Sequence, residues 1–354
     1  DWTIEPDGTC YRCYVAMYEH HVTADVAYGI YDYVRITKDL DFLYGRGAEV
    51  LTETARFWAS RCEYVTEKDR YEINQVTGPD EWHEPVNNNL YTNYFARWNL
   101  RYVMSLIRTM KEERPDDYEA LMKKTGLKEE ELEFWNTVQS KIYLPRKEGT
   151  NLLEQFEGYF QLKDVVIDQY DENDWPIRPE ALKTCKARET QILKQPDVVL
   201  LLHLLGEEFE SELMKENYDY YEKRTLHGSS LSPSIYSVMG LKVGDDSKAY
   251  RYLKRAALID LLNLQKNTRE GIHAANAGGV WQTIVFGFAG VSIGKDGILN
   301  VKPNMPKEWS SLKFRLHYDN AWLEIRTDGN NQAEVRRLDG APVGIWINGE
   351  KKEI

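Results

Sequence analysis

The chain is short of the residues that several protein classes require. It has four cysteines in 354 residues: Cys10, Cys13, Cys62 and Cys185. Cys10 and Cys13 have CxxC spacing, but no second pair follows to complete a zinc site, and the strand-then-helix setting of a redox motif is missing. Isolated thiols of this kind fit a reduced, cytoplasmic setting. Long apolar runs are also absent. The longest, residues 198–205, falls far below the roughly 20 residues of a membrane span, so no membrane partner is expected. Basic residues are outnumbered, 45 Lys and Arg against 57 Asp and Glu, for a net charge of −12. That balance argues against nucleic acid or an anionic membrane as partner, and an anionic substrate would need a local basic pocket. Glu19, His20 and His21 are adjacent, but the i, i+4 histidine pair of HExxH is missing. There is no Walker loop and no GxSxG elbow. Neither a metal nor a resident cofactor is expected. No signal-peptide pattern opens the chain, which starts at Asp1 rather than at methionine.

What is present is enough apolar sequence, 42% of residues, for one large domain or a large and a small one. Aromatic residues are plentiful (23 Tyr, 10 Trp), which suits sugar stacking and core packing equally. Apolar periodicity predicts helices over about 22–36, 46–62, 89–112, 116–125, 128–140, 180–205, 208–223, 232–242, 246–264 and 280–289. A long unpatterned connection, 143–179, reads as functional rather than as a linker. After Gly290 the signal turns to short alternating runs at 313–318, 322–326 and 344–347, which read as strands. The expected division is a helical domain, 1–290, and a small antiparallel β domain, 291–354.

Residues 76–93, VTGPDEWHEPVNNNLYTN, carry the strongest chemical signal. A Gly-Pro turn presents Asp80, Glu81 and Glu84 with Trp82 and His83 among them, and three asparagines follow. A carboxyl held near an aromatic plate is the setting of a general acid, with amides available to read hydroxyls. The same residues would also serve a helix entrance, with Asn87 or Asn88 as the N-cap and acids at the positive end of the dipole. Further along, Lys194-Gln195 interrupts an apolar stretch and offers cationic and amide donors, or simply a solvated helix face. In TLHGSSLSPS, 225–234, serine hydroxyls precede a helix start at Ser232-Pro233; this is an oxyanion site or an ordinary cap. In EGIHAANAGGVW, 270–281, His273 precedes paired glycines that permit close chain passage.

Taken in order, these motifs resemble those of the inverting α-glucoside phosphorylases of glycoside hydrolase family 65, which act on maltose, trehalose, kojibiose and nigerose. The resemblance implies a mainly α fold, an (α/α)6 barrel followed by a small C-terminal antiparallel β domain. It implies that Glu81 is the general acid, and that Trp82, His83 and Glu84 shape the acceptor side. Lys194 and Gln195 would bind the glucosyl unit. Ser229, Ser230 and His273, helped by His227, would hold phosphate, although Gly228 stands where relatives carry an acid. Glu157 would lie in a pocket-lining loop or serve as a structural acid, and Glu19–His21 would lie behind the site. The family's N-terminal β-sandwich, linker helices, first barrel helices and glucose-gripping Trp-Asp motif are not in this chain. The chain therefore corresponds to a C-terminal half, with the N-terminal half missing or on another chain, and a homodimer is implied.

The implied reaction is phosphorolysis of a disaccharide, kojibiose first, to β-glucose 1-phosphate and a free sugar, with inorganic phosphate as co-substrate. An inverting hydrolase needs a second carboxylate as base, whereas phosphate is already a nucleophile. The stretch 226–234 contains no carboxylate. Glu207, Glu208 or Glu222 could supply one if folded into the site, which keeps a hydrolase of the same fold open. A sugar-binding or inactive half of a larger assembly is the third reading.

Overall fold

Helices dominate the chain up to Phe288 and strands follow it. The structure, a computed structural model, describes residues 2–4, 7–12, 15–173, 175–294 and 296–354. Cys13 of the CxxC pair lies outside the described residues. Backbone packing divides the chain into two units: residues 1–34 with 39–163, and residues 35–38 with 164–354.

The first unit is built on the helix Leu90–Glu113. Its 24 residues make a rod of about 36 Å. Leu90, Phe95, Leu100, Val103, Ile107 and Met110 are buried, and the helix packs against the helices Ala48–Arg61 and Glu129–Lys141. Asn89 caps its start, accepting the Thr92 N–H at 3.0 Å; the cap is thus one residue later than the sequence suggests. A bidentate pair from Arg56 to Glu131, 2.8 and 3.2 Å, ties the two flanking helices together. Proline at the first turn of Pro115–Thr125 separates that helix from the rod.

The second unit contains the helices Asp197–Leu204, Ser211–Glu222, Ser232–Val243, Asp246–Leu258 and Ala274–Gln282. The helix expected over 180–205 is largely absent. Two short 3₁₀ turns, Glu180–Lys183 and Ala187–Glu189, interrupt an irregular path, and only Asp197–Leu204 is α-helical. Pro196 explains the late start, because a proline disfavours helical geometry in the residue before it. Lys194 and Gln195 therefore lie on a loop and not on a helix face. The last helix begins at Ala274, earlier than expected, and ends in a π turn, Thr283–Phe288.

Two sheets follow. Ser311–Tyr318, Ala321–Asp328 and Ala333–Asp339 form an antiparallel meander in which Ala321, Leu323, Ile325 and Thr327 point inward and Trp322 and Arg326 outward. The other sheet has four strands, in the order Glu350–Glu353, Gly344–Ile347, Leu299–Val301, Val291–Ile293. Its central pair is parallel, Trp346 opposite Asn300 and Ile347 opposite Val301, so this sheet is mixed where the sequence suggests antiparallel strands alone. The intervening meander supplies the long crossover that a parallel pair needs. Val291, Leu299, Val301, Leu323, Ile325, Ile345 and Ile347 share one core.

Gly290, at φ +63°, turns the chain from the last helix into this domain. A Cβ there would lie 1.7 Å from the Lys302 carbonyl oxygen. Gly290→Ala is therefore expected to cost about 3 kcal/mol, through left-handed strain and a backbone clash, read as a lower urea midpoint.

Candidate active site

In the first unit the expected acid loop is pinched off by one antiparallel bridge, with Val76 N–H to Val86 O at 2.9 Å and Val86 N–H to Val76 O at 2.8 Å. Inside it Asp80 is 1% exposed. Its carboxylate accepts from His83 Nδ1 at 2.7 Å and from the Gln155 amide at 3.2 Å. His83 is itself buried, beside the rings of Phe156 and Tyr159. Glu81, Trp82 and Glu84 stay half-buried. The loop thus has an anchored side, Asp80 and His83, and an accessible side that carries Glu81. His83 is thus held as an anchor of the loop.

The asparagines also change role. Asn87 Oδ1 accepts the Gln75 N–H at 3.0 Å. Asn88, fully buried at φ +50°, accepts from Ile73 N–H and the Asn93 amide, each at 3.1 Å, and donates to Glu157 at 2.8 Å. Asn89 is the helix cap. Each amide oxygen serves the protein's own polar groups, because buried polar atoms must find partners, so the triplet braces the loop. Glu157 is paired with Arg70 at 2.7 Å as well, which makes it a structural acid. His21 bonds Asp25 at 2.7 Å, and Asp25 also accepts from Tyr91 at 2.8 Å.

In the second unit two motifs that are 30 residues apart in the sequence come together. Leu193 and Thr225 form a parallel bridge: Leu193 N–H donates to Arg224 O at 2.8 Å and Leu226 N–H to Leu193 O at 2.9 Å. Gly228 N–H then donates to Lys194 O at 2.9 Å. This places Lys194 and Gln195 alongside the loop that carries Ser229 and Ser230. Ser229 Oγ accepts the Leu231 N–H at 3.3 Å, and the half-buried Ser230 hydroxyl makes no hydrogen bond among the described residues. Ser232 is fully buried and its hydroxyl meets His227 Nδ1 at 2.8 Å.

His227 is 2% exposed at φ +51°. Its other nitrogen meets the Tyr252 hydroxyl at 3.2 Å. Burial, with the nearby Arg255 and Arg251 cations, pushes its pKa down to about 3. It is therefore a neutral, buried group behind the loop. His273 is held by Asp260, which accepts from the His273 backbone N–H at 2.8 Å and faces Nδ1 at 2.6 Å. That partner keeps the Asp260 carboxyl below its usual range. The helix after His273 packs on the helix after Ser232 where Gly279 leaves no room for a Cβ, which would sit 2.5 Å from Ser234 Oγ.

A cavity of about 1,230 Å³ lies elsewhere in this unit, lined by Trp175, Tyr250, Arg251, Arg255, Met305 and Lys307 among others, and it includes none of the predicted site residues. Sequence reasoning missed Gln155, Tyr252 and Asp260, and weighed Glu222 only as a possible base. None has a local motif; each is found only by the fold that brings it to its partner.

Residues 2–282 match the central catalytic domain of glycosyl hydrolase family 65, and residues 293–354 match that family's C-terminal domain. The chain belongs to glycosyl hydrolase family 65. It is 50% identical over 351 residues to a kojibiose phosphorylase of Caldanaerobacter subterraneus subsp. tengcongensis, covering 99% of this chain and 45% of that protein. It is 49% identical over 354 residues to a kojibiose phosphorylase of Thermoanaerobacter brockii, covering 100% of this chain and 46% of that protein. A solved structure from the human microbiome, itself named for kojibiose phosphorylase, superposes with a TM-score of 0.82 at 32% identity over 94% of this chain and 48% of its own. The chain thus spans about half the length of the curated relatives it matches. Its fold class is the expected one for family 65: mainly α, of the (α/α)6 type, with a small C-terminal β domain. Among the described residues no helix is long and apolar enough to cross a membrane.

The buried His227 makes stability depend on pH. Its folded pKa, about 3, lies below the unfolded value of 6.5, so between those values the unfolded chain binds a proton that the folded chain does not. Stability is full above pH 6.5 and falls on acidification. At pH 5 the loss from this group is about 2 kcal/mol, to be read from urea midpoints between pH 7 and 5.

Proposed function

We propose that the protein carrying this chain catalyses inverting phosphorolysis of an α-linked glucose disaccharide, kojibiose in the first instance. Glu81 gives its proton to the glycosidic oxygen as the C1–O bond breaks, and the leaving sugar departs as a neutral alcohol. A phosphate oxygen forms the new bond to C1 from the opposite face, so the α-linkage becomes β-glucose 1-phosphate. Glu81, left as a carboxylate, regains a proton before the next turnover. Ser229 and Ser230, with His273, hold the phosphate; Lys194 and Gln195 orient the glucosyl unit; Trp82 and Glu84 shape the acceptor side.

The observation that carries the choice of phosphate over water concerns Glu222, the carboxylate nearest in sequence to the serine loop. It is 3% exposed and bound to Tyr252 at 2.9 Å and Lys248 at 3.0 Å, so it is committed to the interior. Glu207 faces Arg35 at 3.9 Å, beyond the C-terminal end of the helix Asp197–Leu204, while Lys194 and Gln195 precede its start. A hydrolase needs a base opposite its acid, and these two candidates are engaged elsewhere. The kojibiose preference is supported by the names of the relatives at 49% and 50% identity.

The full activity belongs to a longer protein or an assembly, because relatives of this name are about twice as long. The reading includes a catalytic helical domain, 1–290, a β domain, 291–354, a cytoplasmic homodimer, and no cofactor beyond phosphate as co-substrate.

Kojibiose, nigerose, maltose and trehalose, each incubated with and without phosphate and followed by NMR of the anomeric proton, test the reading. Phosphate-dependent β-glucose 1-phosphate from kojibiose is expected; free glucose from both halves of the sugar without phosphate would mean a hydrolase. Glu81→Gln should lower kcat on the disaccharide by about 10²–10⁴-fold while leaving disaccharide binding intact, as measured by steady-state kinetics and calorimetry.

A further inference from the structure

Behind the serine loop lies a row of buried polar groups drawn from three helices and the loop itself. Lys248 Nζ sits 3.0 Å from Glu222 Oε2. The Tyr252 hydroxyl donates to Glu222 Oε1 at 2.9 Å. The same phenolic oxygen is 3.2 Å from His227 Nε2, and His227 Nδ1 is 2.8 Å from Ser232 Oγ. Glu222, Tyr252, His227 and Ser232 are each at most 3% exposed, so solvent does not satisfy them.

Counting protons fixes the polarity of the row. A phenol has one proton, and here it is committed to a carboxylate paired with Lys248. Toward His227 the phenolic oxygen can only accept, so the ring proton must be on Nε2. A neutral imidazole then has a bare lone pair on Nδ1, which can only accept the Ser232 proton. Ser232 is thereby turned inward, whereas its neighbours Ser229 and Ser230 are only half-buried. The row also holds His227 at φ +51°, a backbone state that a non-glycine residue keeps only when its surroundings dictate it.

We infer that the row Glu222–Tyr252–His227–Ser232 is a positioning device that locks His227 as the Nε2–H tautomer and sets the shape of the anion loop, with Tyr252 and Glu222 as positioning residues. This rests on the reading of residues 225–234 as the phosphate loop. Its consequence for that loop is a division of labour among the serines: Ser229 and Ser230 face the anion, and Ser232 belongs to the scaffold.

The test uses the whole protein with ¹⁵N-labelled histidine, the His227 signals being assigned by their loss in His227→Gln. At neutral pH the expected signature is a protonated Nε2 and a bare Nδ1. Ser232→Ala should keep that tautomer, because Tyr252 still imposes it. Tyr252→Phe keeps the ring but removes the acceptor, so His227 should move toward the Nδ1–H form. In the same variant the KM for phosphate should rise about tenfold, as for one lost hydrogen bond, with kcat at saturating phosphate falling by less than about threefold. An Nδ1–H or doubly protonated His227 in the parent protein overturns the row, and so does an unchanged tautomer in Tyr252→Phe. A shifted tautomer with an unchanged phosphate KM overturns the positioning role. The tautomer measurement needs no turnover, so a protein without phosphate dependence would refute the phosphate reading while an Nε2–H signal still supported the row.

Discussion

The parallel backbone pairing of Leu193 with Arg224 and Leu226 is the constraint on which the candidate site residues of the second unit depend. Without it, Lys194-Gln195 is a stretch of loop and the serines are a helix cap. With it, an amide–ammonium pair and two hydroxyls share one edge. The pairing is possible because Pro196 delays the helix that apolar periodicity suggests, leaving Leu193 extended and its N–H and C=O groups free of any helical ladder. A residue type usually regarded as a breaker here exposes the strand edge that joins two motifs.

The acid loop of the first unit and the serine loop of the second are built in the same manner. In the acid loop a buried carboxylate, Asp80, gathers an imidazole and an amide and leaves its neighbour Glu81 accessible. Behind the serine loop a buried carboxylate, Glu222, gathers a phenol, and through it an imidazole and a hydroxyl, while Ser229 and Ser230 stay half-buried. Each exposed functional group thus sits one or two residues from a group that is fully engaged in the interior. Burial makes such engagement obligatory, since an unpaired polar atom inside is costly, and that obligation is what fixes the course of both loops.

The helices Leu90–Glu113 and Ser232–Val243 were legible in the sequence to within a residue or two, the first from its apolar periodicity and the second from its Ser-Pro start. The motif loops were legible too, because an unusual run of carboxylates, amides or serines is visible without any fold. What could not be read was the direction in which each polar side chain points. His83 and His227 look like ligands in a one-dimensional string because they stand inside motifs, yet both face inward toward acids or hydroxyls contributed by the fold. The asparagine triplet shows the same limit: an amide that reads sugar and an amide that braces backbone have the same letter. Tyr252 and Asp260 sit in ordinary surroundings and acquire meaning only beside His227 and His273.

The parallel pairing in the β domain bears on the order in which that domain can assemble. Leu299–Val301 is flanked by Val291–Ile293 on one side and by Gly344–Ile347 on the other. The first neighbour is available within a few residues of synthesis, whereas the second is separated by the entire meander. During translation, therefore, the middle strand remains one-sided until the last strands have emerged, and the sheet closes late through a contact of high sequence separation. Loop closure of that length slows folding, so the meander, whose pairs are all local, is the element able to form first and serve as the surface on which the mixed sheet is completed.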